Sequence, residues 1–145
     1  MQLLQDLQKD RIISEPSKEK KLKLVKKRVL WVDDYPSNNE ATIDLYRQQG
    51  VEFDLALNTS QALDYLAEGE YDLIISDIGR GSEPDAGVRM IREINRRFGS
   101  PPPILIFSTV QAVKRFGKNA KKEGASFVTS STRKGILKIT EMLNL

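Results

Sequence analysis

The chain has 145 residues, 39% hydrophobic and 30% charged, which suits one domain with a full core and a short appendage. It contains no cysteine and no histidine, which excludes disulfides, thiolate or imidazole metal sites, thiol nucleophiles, His-based acid–base catalysis and phosphohistidine chemistry on this chain. The net charge of +3 is local: residues 1–28 hold nine Lys/Arg against four Asp/Glu and residues 29–145 fourteen against sixteen, so a basic arm precedes a slightly acidic body.

The arm, residues 1–27, divides in two. MQLLQDLQKDRII places Leu3, Leu4, Leu7, Ile12 and Ile13 at loosely helical spacing and predicts a short helix. SEPSKEKKLKLVKK is polar, Lys-rich and interrupted by Pro, and reads as a linker. No apolar run approaches the roughly 20 residues of a membrane span, and the N-terminus lacks the continuous apolar stretch of a secretory signal. A cytoplasmic location is expected.

From Arg28 the pattern alternates. RVLWV predicts a strand, and YPSNNEATIDLYRQQG a helix closing on Gly50. VEFDLAL is a second strand, followed by a helix in NTSQALDYLAEGE with Thr59 or Ser60 as N-cap. YDLIISD is a third strand, IGRGSEPDAG a long Gly-containing loop, and VRMIREINRRFG a helix. PPPILIFST supplies a fourth strand after a Pro stop, then VQAVKRFGKNAKKEG a helix, ASFVTS a fifth strand and TRKGILKITEMLNL a final helix. Five βα repeats with continuously apolar central strands predict a doubly wound parallel sheet covered by helices on both faces, with right-handed crossovers.

In such a sheet, functional residues gather at the carboxyl ends of the strands. Strand one ends in Asp33 and Asp34, strand three in Asp77, strand four in Ser108 and Thr109, and strand five in Thr129, Ser130 and Ser131. Carboxylates at the end of a buried strand are costly unless something pairs with them. If strands one and three are neighbours, three acids share one small area and call for a cation. Hard oxygen ligands without His or Cys suit Mg²⁺. Mg²⁺ beside an aspartate is what acyl-phosphate chemistry needs, with a hydroxyl at the end of strand four available to a phosphate oxygen. Each acid alone also has a plain structural reading; Asp34 before Tyr-Pro-Ser suits a cap of the first helix.

On these residues, 28–145 resembles a response-regulator receiver domain, the flavodoxin-like module with strand order 2-1-3-4-5. The resemblance implies that Asp33 and Asp34 bind Mg²⁺, that Asp77 in YDLIISD is the phosphoacceptor and a metal ligand, and that the Gly79 carbonyl also reaches the metal. It implies that Ser108 in ILIFST is the strand-four hydroxyl, with Thr109 beside it. DAG at 85–87 resembles the family's Asp-Gly before the third helix. A histidine kinase or phosphotransfer protein is then the phosphodonor, an unnamed protein the downstream partner, and the chain itself no enzyme.

Three departures from the family's pattern stand out. Ser130 and Ser131 occupy the end of strand five, where the family carries a Lys followed by Pro; Lys134 belongs to the last helix. The loop after Asp77 is long, and Arg80, its only nearby cation, has two readings, a substitute for the missing Lys or a side chain facing solvent, of which the second is the expected one. Phe127 takes the place of the aromatic switch residue and is expected, like Trp31, to pack in the core. Two readings therefore stay open: a phosphorelay receiver, with Ser130 a weak substitute at the phosphoryl group, and a pseudo-receiver that binds or dimerises without phosphorylation. Two enzyme classes of similar topology lack their motifs, because DDYPS does not separate two aspartates by one residue as a haloacid-dehalogenase-type phosphatase requires, and no GxGxxG follows strand one. The basic arm lacks aromatics for stacking, so nucleic acid is not an expected partner; its apolar positions suit packing on the body or on a second copy in a homodimer.

Deleting residues 1–20 is expected to leave a domain that still melts cooperatively. A truncated chain that does not fold would put the domain boundary elsewhere.

Overall fold

Val29, Leu30, Trp31 and Val32 are all buried, and a strand apolar on both faces needs cover on both faces. The computed structural model describes residues 26–145; the rest of the basic arm, with its expected helix and dimer contact, lies outside the described residues. β1 (Arg28–Val32) leads through a 3₁₀ turn (Pro36–Asn39) into α1 (Glu40–Arg47). There follow β2 (Glu52–Ala56), α2 (Thr59–Glu68), β3 (Leu73–Ser76), α3 (Ala86–Arg97), β4 (Ile104–Phe107), α4 (Val110–Glu123), β5 (Phe127–Thr129) and α5 (Thr132–Met142). The strands pair in parallel in the order 2-1-3-4-5. This is the flavodoxin-like order, with its reversal of direction at β1 and β3.

The pleat sorts the core into two layers. Val29, Trp31, Leu73, Ile75 and Leu105 face Ile43 and Tyr46 of α1 and Ile139 of α5. Leu30, Val32, Ile74, Ile104 and Ile106 face Ala62 of α2, Met90, Ile91 and Ile94 of α3, and Ala120 of α4. Trp31 is 3% exposed, and half-buried Phe127 packs in the same layer; both are core side chains, as expected.

Local chemistry sets the helix ends with two differences from expectation. The cap of α2 is Asn58, whose Oδ1 accepts from the Gln61 N–H at 2.9 Å, so Thr59 becomes the first helical residue and not the cap. The first helix ends at Arg47, and Gly50 takes φ +89° in the turn that returns the chain to β2.

Gly87, the second residue of α3, lies against the chain that leaves β3. Its N–H donates to the Ile78 carbonyl at 2.7 Å, and a Cβ there would stand 2.1 Å from the Asp77 carbonyl oxygen. Gly87→Ala must therefore push α3 away from the segment that carries Asp77. The expected cost is roughly 2 kcal/mol or more, read as a lower urea midpoint with an unchanged denaturant slope.

Candidate metal centre

Two neighbouring strands build the acidic site. Val32 pairs with Ser76, and the Asp77 N–H donates to the Val32 carbonyl at 3.3 Å. The ends of β1 and β3 are therefore level, and Asp33, Asp34 and Asp77 each bring one carboxylate oxygen within 4.8 Å of the others. A cleft of about 440 Å³ opens over them, walled also by Trp31, Tyr35, Asn39, Gly79, Ser108 and Thr109. The oxygen-only donor set and its convergence fit a hard divalent cation.

Each acid has a second task. Asp33 organises the turn after β1, its Oδ1 accepting from the Tyr35 N–H at 2.8 Å and its Oδ2 from the Asn39 amide at 2.9 Å. The turn-forming role that suited Asp34 thus belongs to Asp33. Asp34 instead accepts from the Gly81 N–H at 3.0 Å, tying the β3–α3 loop to the end of β1. Asp77 is 8% exposed, and its Oδ1 accepts from Arg80 Nε at 2.8 Å.

Arg80 corrects the sequence reading. It does not face solvent: it is 8% exposed and each of its three guanidinium nitrogens has a partner. Besides Asp77 it donates through Nη1 to Thr59 Oγ1 at 2.8 Å and through Nη2 to Ser76 Oγ at 3.2 Å, with Met90 Sδ at 3.4 Å. The reason lies in the turn. The Arg80 and Glu83 main chains bond each other reciprocally at 2.9 Å, with Gly81 between them at φ +54°, and the closed turn folds the side chain back under the strand. The glycine directly after Arg80 was the available signal, since Gly81 takes the left-handed conformation that this turn requires.

Of the other residues singled out, Gly79, Ser108 and Thr109 line the cleft. Ser108 Oγ accepts from the Ile78 N–H at 3.2 Å, and Thr109 caps α4 by accepting from the Ala112 N–H at 3.1 Å. Ser130 is not among the lining residues, and Thr132 takes that side of the rim. The chain turns directly from β5 into α5: Thr129 Oγ1 accepts from the Ser131 N–H at 3.0 Å, and Ser131 caps the helix by accepting from the Lys134 N–H at 3.2 Å. Tyr35 and Asn39, which donate to Asp33, and Thr132 at the rim are site residues that sequence patterning had not selected.

Burial pushes the Asp77 carboxyl up to about 7. The hydrogen bond and charge of Arg80 oppose that shift, and the neighbouring charges of Asp33 and Asp34 add to it. Near neutral pH a proton thus competes with any cation for Asp77.

A family model described as the response regulator receiver domain matches residues 29–137. Among solved structures, the response regulator TrrA of Thermotoga maritima, in complex with Mg²⁺ and BeF, is 24% identical, covering 81% of this chain and 99% of its own at a TM-score of 0.65. A two-component response regulator from Clostridium difficile is 19% identical, covering 82% and 97% at 0.69. The chemotaxis response regulator CheY4 of Vibrio cholerae is 21% identical, covering 82% and 99% at 0.67. At these identities the likeness is one of fold. No curated protein sequence matches the chain.

The raised pKa has a stability consequence of definite sign. An unfolded aspartate titrates near 3.9, so in the metal-free protein the neutral Asp77 favours folding below that value. This contribution is lost as pH rises through the folded value of about 7. Asp77→Asn, which keeps an acceptor for Arg80 Nε but no charge, should match the wild type near pH 4. At pH 8 in chelator it should exceed it by on the order of 3 kcal/mol. Urea unfolding across that range checks this; a stability difference that does not change with pH would contradict it.

Proposed function

The chain belongs to the response regulator receiver family, and from that premise we propose that Asp77 accepts a phosphoryl group in a Mg²⁺-dependent reaction that alters protein–protein contacts. The observation that carries the proposal is the convergence of one oxygen from each of Asp33, Asp34 and Asp77 within 4.8 Å, on the floor of a cleft that also holds the Ser108 hydroxyl. Phosphorelay signalling is the setting the family implies.

Asp33, Asp34, Asp77 and the Gly79 carbonyl would hold the metal. When bound it supplies charge neutralisation for the phosphoryl oxygens. The Asp77 oxygen not engaged by Arg80 is the nucleophile. It attacks phosphorus of a phosphohistidine, the bond from phosphorus to the imidazole nitrogen breaks, and the ring nitrogen keeps the electron pair and takes a proton from water. The product is an acyl phosphate on Asp77. The Ser108 hydroxyl donates to a phosphoryl oxygen while accepting from the Ile78 N–H, so it positions the group against the loop that follows β3. Thr109 keeps α4 capped at the rim.

This chain has no histidine, so the phosphohistidine belongs to a second protein, a histidine kinase or phosphotransfer protein. The chain then acts as a phosphoryl carrier and not as a turnover enzyme, and it signals to a downstream protein by contact. Among the described residues no helix is long and apolar enough to cross a membrane; we place the protein in the cytoplasm. The alternative of a phosphorylation-independent binding module drew on the lack of a cation at the end of β5. Arg80, which reaches Asp77 from the loop after β3, weakens that ground.

Incubation with acetyl phosphate and Mg²⁺ should add one phosphoryl group by intact mass, and Asp77→Asn should abolish the gain. Millimolar Mg²⁺ alone should raise the wild-type melting temperature by a few degrees through mass action, with most of the rise lost in Asp77→Asn. A melting temperature indifferent to Mg²⁺, with no mass gain, refutes the proposal.

A further inference from the structure

Arg80 is the only buried cation among the described residues. Its four side-chain partners are unequal: Asp77 carries charge, whereas Thr59, Ser76 and Met90 are neutral. The position of the guanidinium is therefore set by where the charge on Asp77 lies. The turn that carries it is also moored to the acidic site, because Gly81 N–H donates to Asp34. A second groove runs from the site to the start of α2 and is lined by Asp34, Arg80, Gly81, Asn58 and Thr59. Thr59 is the first residue of α2, directly after its cap. One side chain thus joins the acid at the end of β3 to the first turn of a helix on the sheet's α2–α4 face.

We propose that Arg80 is the phosphoryl-binding cation of this site, and that it passes the state of Asp77 to the first turn of α2 by leaving Thr59. The inference rests on Asp77 being the phosphoacceptor. Once the free oxygen of Asp77 is esterified, Oδ1 becomes a neutral carbonyl oxygen and the negative charge moves outward onto the phosphoryl oxygens. A guanidinium beside a neutral carbonyl is drawn to the nearest negative charge, which now lies on the phosphoryl oxygens. Guanidinium presents a planar fork that matches two phosphoryl oxygens, so it follows the charge. Turning that plane toward the phosphoryl group withdraws Nη1 from Thr59, whose hydroxyl then turns to water. Hydrolysis reverses the move. Water attacks phosphorus, the bond from phosphorus to the Asp77 oxygen breaks, inorganic phosphate leaves, and the restored carboxylate recaptures Arg80.

The test uses the full chain with acetyl phosphate and Mg²⁺, in the wild type and in Arg80→Met, Arg80→Lys and Thr59→Val. Intact mass follows phosphoryl acquisition, and amide hydrogen exchange follows the segment 57–66. Wild type should gain the phosphoryl group and exchange faster in that segment afterwards. Arg80→Met should acquire it at least roughly ten-fold more slowly, with exchange in the segment the same before and after. Arg80→Lys retains the charge without the fork and should restore acquisition without restoring the response. Thr59→Val should show fast exchange before any donor is added. A wild type that is phosphorylated while 57–66 stays unchanged overturns the inference alone, as does an Arg80→Met that acquires as fast as wild type. If Arg80→Met does not fold, wild type and Thr59→Val decide. A wild type that gains no mass overturns the phosphoacceptor reading, and the inference falls with it.

Discussion

Val32 lies opposite Ser76 in the parallel ladder between β1 and β3, and both strands end there, so Asp33 and Asp77 leave the sheet at the same level. The site depends on that register. A slip of one residue would carry Asp77 away from the acid pair and exchange the two faces of β3, moving Ile74 and Ile75 into each other's layers. The register is held by packing: Leu30 and Ile74 belong to one layer of the core, Trp31 and Ile75 to the other, and all four are buried. Gly87 adds a steric condition, since only a residue without a side chain fits against the Asp77 carbonyl.

Three carboxylates brought together in this way repel, and the fold answers with donors. The Tyr35 N–H and the Asn39 amide serve Asp33, the Gly81 N–H serves Asp34, and Arg80 serves Asp77. The donors come from two segments, the connection between β1 and α1 and the turn that follows β3. The charge of the site is thereby spread into the segments that surround it, and a change of charge at any one acid is felt by a particular loop. Burial still outweighs these donors at Asp77, which keeps its carboxyl near neutrality in its affinity for a proton. A site of this kind is poised for a cation, whose charge would oppose both the burial penalty and the mutual repulsion.

The placement of the cation separates this chain from the pattern it resembles. With serine at the end of β5 and Ser131 committed to capping α5, that edge of the cleft supplies no charge. The positive group comes instead from the loop after β3, on the side of α2. Arg80 is held by four partners within hydrogen-bonding reach, at least one on each guanidinium nitrogen, which offsets the cost of its burial while Asp77 is charged. The coupling between site and surface that this geometry permits runs toward α2 and not toward α5.

The alternation of apolar runs with turn residues was enough to set the class of fold. An apolar strand such as LIIS has no face to offer to water, and three such strands at the centre of five, separated by amphipathic helices, have few ways to be buried. Strand-end acids were legible for the same reason, since the strand ends placed Asp33, Asp34 and Asp77 at one edge of the sheet. Two kinds of feature were decided only in three dimensions. Ser130 stands in the right place in the chain, yet it is absent from the cleft wall, where Thr132 at the start of α5 stands instead. Arg80 looked like a surface cation in a polar loop. Its burial depends on the reciprocal 80–83 main-chain bonds, the left-handed Gly81, and partners drawn from β3, α2 and α3. Periodicity reports which side of an element is apolar. It carries no information about where a loop side chain finds its partners, because those are brought together by contacts between segments distant in the chain.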